Sequence, residues 1–163
     1  MAWKRSVLVV ANVTAASDEL LSALSERAQR GPASFTFVVP ATPLGGGRAA
    51  AKETLDSALA RLRSAGLTAD GQIGDSDPIV AVTEVWDPKC FDEIIVSTLP
   101  MRFSKWLHAG LPERIAKLTG APVAHVVSAA PRPALEAAPV REHEGRGVMG
   151  PLSVLAWGAN KPR

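Results

Sequence analysis

The residues from Ser97 to Leu111 have the spacing of a loop that binds phosphate. An apolar run at 91–96 predicts a buried strand before this loop, and a helix is predicted to begin near Pro112. A strand, a loop and a helix N-terminus in this order hold phosphates in nucleotide-binding α/β proteins, because backbone N–H groups and the helix dipole attract an anion. Glycines and a hydroxyl normally supply that chemistry. The corresponding positions here are Ser97, Pro100, Gly110 and Leu111.

Alternating strand and helix patterns surround this loop. Apolar runs predict strands at 7–11, 35–39, 68–73, 91–96 and 123–127. Helical spacing and capping residues predict helices at 18–30, 48–65, 78–85 and 112–119. Strands separated by helices indicate a single doubly wound α/β domain, a parallel sheet with helices on both faces. Ligands of such sheets bind beyond the carboxyl ends of the strands, so the predicted rim comprises 11–14, 40–42 and 97–110.

Charge and composition exclude several classes of protein. The 163 residues are 47% hydrophobic and 21% charged, and no apolar run is long enough to span a bilayer. Residues 1–128 contain 13 basic and 13 acidic side chains, so the formal charge of +2 comes from the tail and nucleic-acid binding is not expected. The single cysteine, Cys90, excludes an internal disulfide and fits a reducing cytoplasm. The high Ala, Arg and Pro content is typical of a GC-rich bacterial genome.

The composition changes at residue 129. Residues 129–163 are predicted to form an extended tail, which begins as a linker rich in Pro, Ala and Gly. An apolar segment at 148–159 follows, and we expect it to dock on this domain, on a second copy or on a protein partner.

Three local patterns, taken in order along the chain, resemble the universal stress protein family over about residues 5–128. The run from Lys4 to Asn12 is similar to the family's first strand, which usually ends in Asp. The run from Gly74 to Pro78 resembles the Gly-Asp-Pro start of its third helix, and the run from Ala121 to Val127 resembles its last strand. The resemblance implies the strand order 3-2-1-4-5, a role in stress response, and a homodimer formed through the strand at 123–127.

The nucleotide-binding branch of this family carries Gly, two residues, Gly, nine residues, then Gly-Ser or Gly-Thr. This chain keeps the spacing and retains Gly110 alone among those residues. Ser97 adds a Cβ, Pro100 has no N–H to donate, and Leu111 lacks a hydroxyl. The resemblance thus implies the fold, and an adenine nucleotide such as ATP or AMP is the alternative to having no cofactor.

If a nucleotide binds, the resemblance and the predicted rim place the residues that contact it mainly on the first and fourth strands and in the loop after the fourth. The candidates are Ala11, Asn12, Thr14, Pro40, Ser97, Thr98, Arg102, Ser104, Lys105 and Gly110. Arg102 and Lys105 either supply positive charge to an anion or are solvated loop residues, and the second reading is favoured. Trp106 either stacks on a base or covers apolar surface, and packing is favoured.

No pattern in the chain assembles a catalytic set. Asp75 and Asp77 are an isolated pair, and Asp77 suffices as a helix N-cap. The three histidines and Cys90 lack metal-ligand spacing. We therefore expect a non-enzymatic regulatory or interaction protein, with an adenine-nucleotide sensor as the alternative. An enzyme of the nucleotide-binding α/β class is the least favoured hypothesis.

Overall fold

Five parallel strands form one sheet in the order β3-β2-β1-β4-β5, which confirms the predicted fold class and topology. The computed structural model describes residues 3–43 and 46–129. The strands are β1 (Arg5–Val10), β2 (Ala33–Pro40), β3 (Thr68–Gly74), β4 (Glu93–Thr98) and β5 (Val123–Val127). The helices are α1 (Asp18–Gln29), α2 (Gly47–Ser64), α3 (Pro78–Val85), α4 (Lys105–His108) and α5 (Leu111–Thr119).

Both faces of the sheet are covered by helices. The side chains from Val7 to Val10 on β1 are fully buried, as expected for the central strand of a parallel sheet. Odd-numbered β1 residues pack with α1 and α2, through residues such as Leu24 and Leu59. Even-numbered β1 residues pack with α3 and α5, through residues such as Val82 and Ile115. These two apolar layers fix the positions of the strand ends that form the rim.

Two predicted helix caps are confirmed. The Ser17 hydroxyl accepts a hydrogen bond from the Leu20 N–H at 3.1 Å and caps α1. The Asp77 carboxylate accepts from the Ile79 N–H at 2.8 Å and caps α3, where Pro78 occupies the first helical position. Each cap satisfies a backbone donor that the helix itself leaves unpaired.

The predicted boundaries around the loop after β4 were wrong in two respects. β4 begins at Glu93, where pairing with β1 starts, and it continues through Ser97 and Thr98. These two residues therefore end a strand instead of opening a loop. The loop itself contains a 3-10 turn at Met101–Phe103 and the short helix α4, neither of which apolar periodicity had indicated.

No helix in the described part of the chain is both long and apolar enough to cross a bilayer. The predicted linker from residue 130 and the predicted docking segment at 148–159 lie outside the described residues.

Candidate functional site

A cleft of about 840 Å³ opens at the carboxyl ends of the strands. It lies where the chain order of the strands reverses between β1 and β4, the position at which doubly wound folds bind ligands. Its volume falls within the range of small-molecule sites. The lining residues are Asn12, Val13, Thr14, Thr42, Pro43, Ser76, Asp77, Pro78, Ile79, Ser97, Thr98, Leu99, Phe103, Ser104, Lys105, Trp106, Ala109, Leu111 and Arg114.

Hydroxyl and amide groups at the ends of the strands bond to one another across the cleft floor. The Thr14 and Ser97 hydroxyl oxygens lie 2.7 Å apart, and both residues are 1% exposed. The Asn12 amide donates to the Thr42 hydroxyl at 3.2 Å. These bonds tie the loop after β1 to the ends of β2 and β4, so the floor is pre-organised by its own polar groups.

Thr98 connects the cleft to the edge strand β5. Its hydroxyl donates to the Leu99 carbonyl at 2.9 Å and lies 2.7 Å from Nε2 of His125. A hydroxyl that donates to a carbonyl must accept from the imidazole, so Nε2 then carries the proton. In that arrangement His125 positions Thr98 by donating a hydrogen bond to its hydroxyl.

The loop after β4 directs many of its backbone N–H groups to its own oxygen atoms. Turn and helix bonds within residues 100–110 account for six of them. The donating residues are Phe103, Ser104, Leu107, His108, Ala109 and Gly110. The Ser104 hydroxyl, 5% exposed, caps α4 by accepting from Leu107. A phosphate-binding loop instead points such donors at the ligand, so this loop is folded for internal stability.

The start of α5 also lacks several of the groups that favour a phosphate. Gly110 has a φ of +67°, in the left-handed region that favours glycine. Leu111 is 1% exposed and belongs to the core on the α3–α5 face, while Pro112 has no N–H. Glu113 places a carboxylate in the first turn, with Oε1 3.8 Å from where a Cβ on Gly110 would lie. This carboxylate opposes a second anion at the helix N-terminus.

Two exposed cations line the cleft, Lys105 on α4 and Arg114 on α5. Arg102 has a different position. Its guanidinium lies over the Phe103 ring at 5.2 Å from the centroid, and Arg102 is outside the cleft lining. The sequence could not show which of Arg102 and Lys105 lines the cleft, because both are basic and both precede Gly110 by a few positions.

The cleft brings together six of the ten residues predicted to bind a cofactor: Asn12, Thr14, Ser97, Thr98, Ser104 and Lys105. Four others lie outside the lining. Ala11 and Pro40 are buried at the ends of β1 and β2, Gly110 turns the chain into α5, and Arg102 stacks on Phe103.

Thr42, Phe103 and Arg114 were not proposed from the sequence as ligand-contacting residues, although Thr42 and Phe103 lie in the predicted rim. Arg114 had a detectable signal. It lies four residues after Gly110, one helical turn into the predicted helix, and its N–H donates to the Gly110 carbonyl at 3.0 Å. No periodic signal marked Phe103, because the 3-10 turn that places it is too short to produce one.

The other residues considered for catalysis, Asp75, Asp77 and Cys90, make local structural contacts. Asp75 accepts from the Asp77 N–H at 2.8 Å, which makes a turn before α3. The exposed Cys90 thiol lies 3.5 Å from the Asp87 carboxylate, and this hydrogen bond and negative charge raise the pKa of the thiol. A raised pKa lowers the thiolate fraction and hence the reactivity of Cys90. Within residues 3–43 and 46–129, no three His, Cys, Asp or Glu side chains are grouped to hold a metal ion.

No protein-family model matches this chain, and no curated protein matches its sequence.

Proposed function

We propose that this chain is a non-catalytic regulatory protein of the universal stress type, which binds a small molecule in the cleft at the carboxyl ends of its strands. The observation that carries the proposal is the cleft of about 840 Å³ at the strand-order reversal between β1 and β4. A concave site with apolar walls and a few convergent polar groups is the usual form of a small-molecule site.

The internal bonding of the cleft supports binding without turnover. The two buried hydroxyls of Thr14 and Ser97 bond to each other, and the Thr98 hydroxyl donates to a backbone carbonyl. A nucleophilic hydroxyl requires a base that accepts its proton. Pre-formed polar contacts of this kind favour a rigid binding site.

Thermal unfolding with a ligand panel tests the proposal. The panel contains ATP, ADP, AMP, other phosphorylated metabolites and small carboxylates, and a bound ligand raises the unfolding midpoint. Ala109→Trp fills the cleft from its α4 side, whereas Ala60→Trp adds the same bulk at an exposed position on α2. We expect at least one ligand to stabilise the wild type and Ala60→Trp but not Ala109→Trp. Equal responses of the two variants, or no response in the whole panel, would contradict the proposed function.

Titration calorimetry with ATP tests the adenine-nucleotide alternative separately. Binding in the micromolar range that Ala109→Trp removes would place the nucleotide in the cleft. Absence of heat at millimolar ATP would leave the regulatory proposal in place and remove the nucleotide from it.

The outer edge of β5 supports the proposed homodimer. Ile94 donates to the Pro122 carbonyl at one end of β5, and Ser128 donates to the Thr98 carbonyl at the other. Because parallel ladders alternate, the even-numbered residues face β4, and the odd-numbered residues 123, 125 and 127 direct their N–H and C=O groups to the outer edge. An edge of this kind can add a strand from a second copy.

Light scattering coupled to size exclusion tests the dimer. Val127 is 48% exposed, so Val127→Lys adds charge to the strand edge with little effect on the core. We expect this variant to be monomeric. Val80→Lys, at a 39% exposed position on α3, serves as the control and should keep the wild-type mass. A dimer unaffected by Val127→Lys, or a wild-type monomer at high concentration, would exclude the β5 interface.

A further inference from the structure

The charges and hydrogen bonds of the cleft restrict the kind of molecule that it accepts. We propose that the ligand is a small molecule with an apolar, planar body and a single anionic group, and that Lys105 and Arg114 hold that group. This inference rests on the proposed binding function and specifies its ligand class.

Backbone donors argue against a polyphosphate. Six N–H groups of the loop after β4 are bonded to the loop's own oxygens. At the entrance to α5, Pro112 supplies no N–H and the Glu113 carboxylate lies near Gly110. A triphosphate carries several charges that need a ring of donors, which P-loops and related nests provide from the backbone. The N–H groups that have no partner in this segment are divided among the starts of the 3-10 turn, of the four-residue α4 and of α5, and none of these three starts supplies more than two.

Side-chain cations remain for a single anionic group. Lys105 begins α4 and Arg114 lies in α5, so both are on the α4–α5 side of the cleft. The three ion pairs in the described part of the chain involve neither residue. Arginine and lysine donors form charge-assisted hydrogen bonds with carboxylate or phosphate oxygens. Two such residues suit one carboxylate or one monophosphate.

The opposite side of the cleft fixes the orientation of such a ligand. Asp77 lines the α3 side, and its carboxylate is bonded to the Ile79 N–H. Its negative charge repels an anionic group, while the cations on the α4–α5 side attract one. The anion is thus directed toward Lys105 and Arg114.

Apolar side chains account for the body of the ligand. Trp106 is half-buried, packs on the core of the α3–α5 face and also lines the cleft. Phe103, 59% exposed, and Ile79 provide further apolar walls. Aromatic side chains favour planar partners through stacked or edge contacts. The arrangement fits an aromatic acid or an aryl monophosphate.

Calorimetric titration with matched probes tests this inference. Indole-3-acetate and indole-3-acetamide share one body and differ in charge, phenylacetate and phenyl phosphate share a phenyl ring and differ in the anionic group, and ATP represents the polyanions. We expect indole-3-acetate or phenyl phosphate to bind about 10-fold more tightly than the amide and than ATP, with an affinity that falls as salt rises. The tighter of phenylacetate and phenyl phosphate identifies the head group.

Two variants, one that removes both cleft cations and one that removes a neighbouring loop cation, locate the anion. The double variant Lys105→Met/Arg114→Met should bring the affinity for the anion down to that for the amide, a loss of about 10-fold, and leave the amide unchanged. Arg102→Met removes a neighbouring loop cation outside the cleft and should change either affinity by less than about 2-fold. A larger effect of Arg102→Met than of the double variant would overturn the assignment.

The other contrary outcomes separate this inference from the proposed function. Equal affinities for the acid and the amide, or tighter binding of ATP, overturn the ligand class. If ATP or another ligand of the panel then binds the wild type but not Ala109→Trp, the cleft is still a binding site and only the proposed ligand class fails. Lack of binding by the indole and phenyl probes at about 10 mM also overturns it. The proposed function then depends on the remaining ligands of its own panel.

Discussion

Replacing Thr14 by valine should destabilise the fold because it leaves the buried Ser97 hydroxyl without a partner. Valine keeps the shape of threonine and removes the oxygen that lies 2.7 Å from the Ser97 hydroxyl. Both residues are 1% exposed, so water does not readily replace the lost partner. A buried polar group without a partner costs about 1–3 kcal/mol. We expect Thr14→Val and Ser97→Ala each to lower the free energy of unfolding by about 1–3 kcal/mol.

The double variant distinguishes this hydrogen bond from a general loss of packing. With both hydroxyls removed, no unpaired group remains, and the combined loss should be smaller than the sum of the single losses by about 1–2 kcal/mol. Urea unfolding followed by circular dichroism measures all three free energies, provided the slope with denaturant stays constant. Thr83→Val, at an exposed hydroxyl on α3 that bonds to the Ile79 carbonyl, is the control and should change stability by less than about 0.5 kcal/mol. Single losses that add to within about 0.3 kcal/mol would refute the coupling.

Three further predictions concern single positions. Gly110→Ala should lower the free energy of chemical unfolding by about 1–2 kcal/mol because the φ of +67° is unfavourable for a residue with a side chain. Gly31→Ala, where an added Cβ meets open space, should leave that free energy almost unchanged, and equal losses in the two variants would contradict the prediction. Asp87→Asn should speed alkylation of Cys90 at neutral pH because it removes the carboxylate that raises the pKa of the thiol, and an unchanged rate would exclude that contact. Arg27→Met should lower the free energy of unfolding by about 1–3 kcal/mol because it leaves the mostly buried Glu93 carboxylate on β4 unpaired. A loss no larger than that caused by Lys52→Met, which breaks the exposed Lys52–Asp56 pair on α2, would argue against this.

The sequence predicted the order and type of the main elements because their signals are local. Apolar runs, the caps at Ser17 and Asp77, and the positions of glycine and proline depend on neighbours within a few residues. Boundaries near the site were less accurate. Ser97 and Thr98 are polar, so their residue types indicated a loop, yet pairing with β5 makes them the end of β4.

The order of amino acids also indicated which edge of the sheet would carry a site, since parallel strands place their carboxyl ends together. It left open what each polar side chain there contacts. Thr14 and Ser97 are 83 residues apart in the chain, and Asn12 and Thr42 are 30 apart. No local pattern encodes such pairs, because they arise when packing of the two apolar layers brings the strand ends together.

Tertiary structure likewise decided the roles of the basic residues. Arg102, Lys105 and Arg114 are similar in type and position, but only the last two line the cleft, while Arg102 stacks on Phe103. The sequence alone therefore predicted the fold and the edge of the sheet at which the cleft opens. The folded chain determined which groups face that edge, because burial and hydrogen bonding between distant segments decide which donors and charges are left for a ligand.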